Sequence, residues 1–244
     1  MANTPILQIV AGSSGTDRAV AEKFYKWLED VHVPEMFQYK GFKRILNCRR
    51  VIGYEPAQPK MGDYPEYISV TEFYSRQDMD DFPKAASTIH LDKDGLETWG
   101  TEIGRKKIWL VTYEQTKTLE RQLERKGNRY IQIVSGVAPK DPETAQRFYK
   151  WIDEAHLPHN FNEFKGLAKA TNYKRLDGVE VPFKPIVTDY PYFITMWEFN
   201  SLADFKFQMD SIKGRHPASD EWGTEIGYTK SWLVSYEVIK SWER

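Results

Sequence analysis

The chain has a single cysteine, Cys48, in 244 residues. One thiol excludes an intramolecular disulfide and gives no support to a thiolate metal site. No apolar run approaches the roughly 20 residues that a membrane-spanning helix needs. Residues 1–10 also lack the basic stretch and long apolar run of a secretory leader. A cytoplasmic protein with no membrane partner is expected. Neither sign of charge is in excess, with 34 Lys and Arg against 35 Asp and Glu, and no segment is strongly basic. That argues against nucleic acid as a partner. The charge-rich residues 120–129 mix both signs and read as a solvated linker. There is no P-loop, no dinucleotide fingerprint, no His-Glu-x-x-His and no Gly-x-Ser-x-Gly.

What is present is present twice. Trp-Gly-Thr-Glu-Ile-Gly occurs at residues 99–104 and again at 222–227. Leu7-Gln-Ile-Val10 answers Ile131-Gln-Ile-Val134, and Phe24-Tyr-Lys-Trp27 answers Phe148-Tyr-Lys-Trp151. His32-Val-Pro34 answers His156-Leu-Pro158, and Asp63-Tyr-Pro65 answers Asp189-Tyr-Pro191. Trp109-Leu-Val-Thr-Tyr-Glu114 answers Trp232-Leu-Val-Ser-Tyr-Glu237, and residues 115–121 match the tail, 238–244. A repeat has to be recognised before any fold is assigned. The pattern gives a first repeat over 1–121, a linker over 122–128 and a second repeat over 129–244. Each repeat can bury its own core. The site is expected inside each copy or in the space that the two enclose.

Within one repeat, residues 7–10 form a short β-branched run, hence a strand. Asp17, and Asp141 before Pro142 and Glu143, can cap the next helix. Val20, Phe24, Trp27, Leu28 and Val31 recur at helical spacing. Pro34 is expected to close that helix, because the residue before a proline disfavours helical backbone. A second strand is predicted over 43–51, a Pro- and Gly-rich loop over 53–64 and a third strand over 67–73. Met79, Phe82, Ala86 and Ile89 suit a second helix, with Leu202, Phe205, Met209 and Ile212 as counterparts. A last strand covers 107–114. The order is βαββαβ, the ferredoxin-like arrangement, with both helices on one sheet face. The open face must be covered. Two such sheets from one chain, packed face to face, cover both and enclose a barrel. The fold class is α+β, two tandem ferredoxin-like domains forming an intramolecular barrel.

A helix ending in His-x-Pro, a Gly opening strand two and Phe-x-Ser closing strand three resemble the dimeric α/β-barrel superfamily, and within it the EthD-like group. His32-Val-Pro34, Gly41 and Phe73-Tyr-Ser75 carry the resemblance in copy one. His156-Leu-Pro158, Gly166 and Phe199-Asn-Ser201 carry it in copy two. The resemblance implies the barrel fold and a range of activities: cofactor-free monooxygenases, cyclases, dehydratases, isomerases and haem enzymes such as the chlorite dismutases. The hexapeptide and the long loop over 53–64 stand outside this pattern.

Four residues are the candidate catalytic groups. His32 and His156 sit at the predicted helix end, where a histidine can do acid–base work or cap the helix against its dipole. Glu72 and Glu198 lie among apolar neighbours on one alternating face of strand three. If that face looks into the barrel, desolvation raises their pKa and gives a usable general acid or base. Asn47 and Asn172, and Tyr64 and Tyr190, match across the copies and can orient a carbonyl or phenol. Trp27 and Trp151 would line a pocket. Trp99 and Trp222, with Glu102 and Glu225 in the hexapeptide, suit a structural plug as well as a binding wall. His156-Leu-Pro-His159 has the look of a metal pair, but the proline is expected to break the helix that would align it, so no metal is assigned. Any of His90, His156 or His216 could serve as the one axial ligand that a haem needs.

Together these residues suggest a cofactor-independent lyase or isomerase. Acid–base catalysis would drive dehydration, isomerisation or cyclisation of a hydrophobic aromatic or polyketide-like small molecule. Cys48 against Tyr173 and Thr71 against Trp197 make the two cavities unequal, so one copy can hold the site while the other supports it. The alternatives are a haem-binding barrel enzyme of the chlorite dismutase-like class and a non-catalytic, stress-associated binding module. Association of two chains into a homodimer stays open.

Overall fold

A computed structural model describes residues 4–13, 17–53, 64–89, 92, 106–136, 141–179, 191–212 and 230–244. In chain order the elements are β1 (Ile6–Ser13), α1 (Arg18–Trp27), a π-helical turn (Leu28–His32), α2 (Val33–Met36), β2 (Phe42–Arg50), β3 (Tyr67–Phe73), α3 (Arg76–Ala86) and β4 (Lys106–Glu120). The second copy repeats them: β5 (Tyr130–Gly136), α4 (Pro142–Trp151), a π-helical turn (Ile152–His156), α5 (Leu157–Glu163), β6 (Leu167–Arg175), β7 (Phe193–Phe199), α6 (Leu202–Ile212) and β8 (Lys230–Glu243).

Local chemistry sets the helix starts. Asp17 Oδ1 accepts from the backbone N–H of Ala19 at 2.8 Å and of Val20 at 3.2 Å. Asp141 Oδ2 accepts from Thr144 at 2.7 Å. These contacts satisfy donors that a helix cannot satisfy itself. The Ser of Phe-x-Ser does the same for the second helices: Ser75 Oγ accepts from Asp78 N–H at 3.1 Å, and Ser201 Oγ from Asp204 N–H at 3.0 Å. The Gly of strand two belongs to that junction. A Cβ on Gly41 or Gly166 would stand 2.8 Å from the Cβ of Asp78 or Asp204.

The strands form one closed antiparallel barrel in the order β1-β3-β2-β8-β5-β7-β6-β4. The two tandem ferredoxin-like units pack sheet to sheet as an intramolecular dimeric α/β barrel. β4 and β8 close it because each is long enough to pair twice. β4 pairs with β1 through Glu114 and then with β6 from Tyr113 to Glu120. β8 pairs with β5 through Glu237 and then with β2 from Tyr236 to Glu243. The expected last strand was about half this length; its second half is the stretch shared by the two tails. At its end Arg121 donates to the carbonyls of Phe161, Phe164 and Lys165 in copy two, and Arg244 to those of Phe37, Tyr39 and Phe42 in copy one.

The barrel interior is packed, as eight strands allow. Leu7, Ile9, Leu46, Ile68, Val70, Val111, Ile131, Ile133, Ile194, Met196 and Val234 fill it, with Tyr113, Tyr173 and Tyr236. The helices cover the outside. Among the described residues no helix is long and apolar enough to cross a membrane.

One expectation about the helices is corrected. Pro34 does not close the first helix, nor does Pro158 break its counterpart. Each follows a π turn, in which Val33 N–H reaches Leu28 O and Leu157 N–H reaches Ile152 O, and helix continues beyond. The turn absorbs one extra residue, so the buried positions run Phe24, Leu28, Val33 and Phe148, Ile152, Leu157. The proline's missing donor is made good from outside: Lys240 Nζ donates to Glu29 O at 3.0 Å.

Candidate functional site

The structure divides the predicted site residues between the two faces of the sheet. Glu72 and Glu198 point into the barrel beside Ile68, Val70, Ile194 and Met196, and both are buried. His32 and His156 lie on the helical side. His32 stacks on Trp27 at 4.7 Å between ring centroids, and His156 faces Trp151 at 4.6 Å. A sheet stands between each histidine and each glutamate, so the expected His–Glu acid–base pair does not form. The histidines are also mid-helix, not helix-terminal caps.

The glutamates answer each other instead. Arg44, on the inward face of β2 and 5% exposed, donates from Nη2 to Glu72 Oε1 at 2.6 Å and to Glu198 Oε1 at 2.6 Å, and from Nη1 to Glu198 Oε2 at 2.7 Å. Tyr173 Oη donates to Glu72 Oε1 at 2.8 Å. Burial alone would push these carboxyls up, but the Arg44 charge outweighs it. Glu72 is held down at about 2, and Glu198 is lowered for the same reason. Burial and the Glu72 charge push the Tyr173 phenol up, so it stays a donor. The expectation of a raised carboxyl pKa is therefore corrected: these are fixed anions in an ion cluster, not proton carriers.

The remaining candidates separate as well. Asn47 and Asn172 face the helices. Asn47 Oδ1 accepts from Ser69 Oγ at 2.8 Å, and Asn172 Oδ1 from Thr195 Oγ1 at 2.7 Å. Tyr64 is buried against Trp109 at the barrel core, and its Oη accepts from Leu233 N–H at 3.3 Å. Trp27 Nε1 donates to Asp92 Oδ2 at 2.9 Å. Tyr190, Trp99, Trp222, Glu102, Glu225, His90 and His216 lie outside the described residues. His159 is exposed and approaches Glu163 at 3.4 Å. No group of three metal-binding side chains gathers among the described residues.

A cavity of about 520 Å³ lies in copy two, between α4 with its π turn and the outer face of β6 and β7. Tyr149, Ile152 and Phe193 give it apolar walls, and Asn172, Asp153 and Thr116 a polar end. Asp153 Oδ1 accepts from Asn172 Nδ2 at 2.7 Å and from Thr116 Oγ1 at 3.0 Å. Its Oδ2 carries no hydrogen bond among the described residues. Thr195, Asn172 and Asp153 thus form a chain that fixes one carboxylate at the edge of an apolar space. Asp153 was not among the sequence candidates. The one signal for it was the five-residue step from Ile152 to Leu157, which marks the π turn.

The same place in copy one is built differently. Tyr25 and Tyr67 stack there at 4.2 Å with planes 7° apart, and Arg49 lies over Tyr25 while pairing with Glu22. Tyr67 Oη donates to Glu29 Oε1 at 2.9 Å, and Glu29 is the counterpart of Asp153. In copy two Phe193 replaces Tyr67 and has no hydroxyl to give. Its ring stands edge-on to Tyr149 at 6.2 Å, which leaves the space open. The copies are unequal as expected, but through these residues.

Haem would need an axial ligand at the cavity. No histidine lines it, so the described residues do not fit that group there.

No family model and no curated protein matches the chain. Solved structures do. A candidate monooxygenase of Fusobacterium nucleatum aligns with a TM-score of 0.62 at 12% identity, covering 100% of this chain and 96% of that one. A protein described as anthrone oxidase-like aligns at 0.52 and 12% identity, over 99% and 93%. A mutant chlorite dismutase from Candidatus Nitrospira defluvii aligns at 0.51 and 10% identity, over 97% and 92%. At such identities the likeness establishes the barrel fold of the dimeric α/β type and nothing finer.

Proposed function

We propose that the protein is a cofactor-independent acid–base enzyme whose site is the copy-two cavity. Its substrate is a flat, hydrophobic aromatic ketone or phenol, and copy one serves as the supporting half. The observation that carries this reading is the placement of Asp153, whose Oδ1 is tied to Asn172 and Thr116 at the end of an apolar, ring-walled space. Asp153 Oδ2 takes a proton from an activated C–H of the bound ketone. The electron pair of that bond moves to the carbonyl oxygen and forms an enolate. Return of the proton to another position gives isomerisation, and loss of a leaving group gives elimination. A positioned carboxylate contributes typically 10²–10⁴-fold to such a step. Tyr149 and Phe193 hold the ring system, and the Lys174 ammonium, 5.3 Å from the Tyr149 ring centre, adds positive potential near the enolate.

The fold neighbour described as anthrone oxidase-like supports anthrone as a first probe, because its C10–H is acidified by the carbonyl. Within the superfamily we keep the EthD-like group, on the His-x-Pro, Gly and Phe-x-Ser motifs. The test is deuterium exchange at C10 of anthrone, followed by NMR. Wild-type protein accelerates exchange, and Asp153→Asn binds anthrone but loses the acceleration. Equal exchange by both proteins would remove Asp153 from the chemistry. Binding with no exchange by either protein would favour the non-catalytic module.

A further inference from the structure

A second cavity, of about 380 Å³, opens at one mouth of the barrel, at the other ends of β6 and β7 from the first. It is formed where the starts of β2 and β6 meet the ends of β4, β7 and β8. Six cationic side chains line it, among them Lys43, Arg44, Arg129 and Lys169, against three carboxylates. The chain as a whole is slightly acidic, with net charge -1, so this local excess of cations is not a reflection of composition.

Several of the cationic groups keep donors in hand. Arg44 and Arg129 each have a buried Nε with no hydrogen-bond partner. Arg44 is at the same time 5% exposed and committed through its other nitrogens to Glu72 and Glu198. Lys43 and Lys169 stand 3.8 Å from Glu72 Oε2 and Glu198 Oε1, beyond hydrogen-bond reach. A buried charged donor without an acceptor is costly. An anion entering the mouth would meet the Lys43 and Lys169 ammoniums, with the Arg44 and Arg129 guanidiniums buried behind them, in a partly desolvated space where charge-assisted bonds are strongest.

We propose that this mouth is a binding site for a small multivalent oxyanion, held by Lys43 and Lys169 over the Arg44–Glu72–Glu198 cluster. Occupation ties the starts of β2 and β6 to the ends of the two closing strands, β8 and β4. The anion thereby locks the barrel seam. Its effect is on stability and rigidity, separate from any turnover in the copy-two cavity.

The test uses inorganic phosphate on the full chain, titrated calorimetrically at ionic strength held constant with chloride. Melting curves are recorded in parallel, because a ligand of the native state raises Tm by mass action. Wild-type protein is expected to bind one phosphate per chain saturably and to melt higher in its presence. Lys43→Gln and Lys169→Gln are each expected to weaken binding by about tenfold. Lys43 is a third exposed, so its variant keeps the fold, as near-ultraviolet dichroism will show, and it carries the test if Lys169→Gln does not fold. Absence of a saturable phosphate signal in the wild-type protein would overturn the proposal. So would unchanged affinity in folded Lys43→Gln.

Discussion

Glu72 and Glu198, equivalent positions of the two copies, share one guanidinium nitrogen: Arg44 Nη2 lies 2.6 Å from each. The counterpart of Arg44 is Lys169, which reaches only one of them, at 3.8 Å. Two carboxylates facing each other across a barrel would repel. A single guanidinium between them resolves this. The duplication is therefore broken at its centre by an Arg on one side and a Lys on the other.

The cluster makes Arg44 a residue the fold cannot lose singly. Arg44→Met leaves two buried anions without their principal partner and is expected to destabilise by about 3–5 kcal/mol. Arg44→Met combined with Glu72→Leu and Glu198→Leu is expected to recover most of that loss, because the charges leave together. Urea unfolding of the wild-type protein, the single variant and the triple variant checks this. A mild single variant would mean that the cluster is held mainly by other contacts.

Acid should unfold the protein through the same carboxylate. The Glu72 carboxyl is lowered from an ordinary 4.5 to about 2, so it binds a proton more weakly folded than unfolded. Its stabilisation is then complete above about pH 4.5 and falls away as pH drops through about 2. Urea midpoints measured across this window should decline for the wild-type protein. Glu72→Gln should start lower and decline less.

The open cavity depends on a missing hydroxyl. Phe193→Tyr is expected to place a phenol against Asp153, as Tyr67 meets Glu29 in copy one. Anthrone affinity, read by fluorescence quenching, should weaken by about tenfold, the scale of one well-made hydrogen bond to a charged group. Tyr67→Phe, in the other copy, should leave that affinity unchanged.

At the second-helix junction, Gly166→Ala would bring a methyl group to 2.8 Å from Asp204 Cβ. Overpacking there is expected to cost about 1–3 kcal/mol. An unaltered urea midpoint would show that α6 can back away without loss.

Much of this architecture was legible in the residues. The repeat marked out two similar halves, and alternation in strand three put Glu72 and Glu198 on one face with Ile68, Val70, Ile194 and Met196, a face that the structure turns inward. Arg44 shares the inward face of β2 with Leu46 and Cys48, so the same alternation turns it towards the glutamates. The π turns depart from the 3.6-residue period by one residue each, which a uniform helical period does not show. Pro34 and Pro158 read as helix ends, which puts the histidines at a terminus, whereas the five-residue steps from Leu28 to Val33 and from Ile152 to Leu157 carry the helix on and turn Asp153 to the cavity. The cavity itself could not be read from either copy alone. It comes from comparing Tyr67 with Phe193, a difference of one oxygen whose effect is felt on another element.

The double pairing of β4 and β8 has a consequence for how the chain is made. β2 is synthesised early, yet the strand that covers its second edge, residues 236–243, is made almost two hundred residues later, about the length of the chain between them. Until then the amino-terminal half carries an open edge and an uncovered apolar sheet face, both of which invite association with other chains. The first copy therefore cannot complete its fold until the second has been made, and the hazard of misassembly lasts for that whole interval.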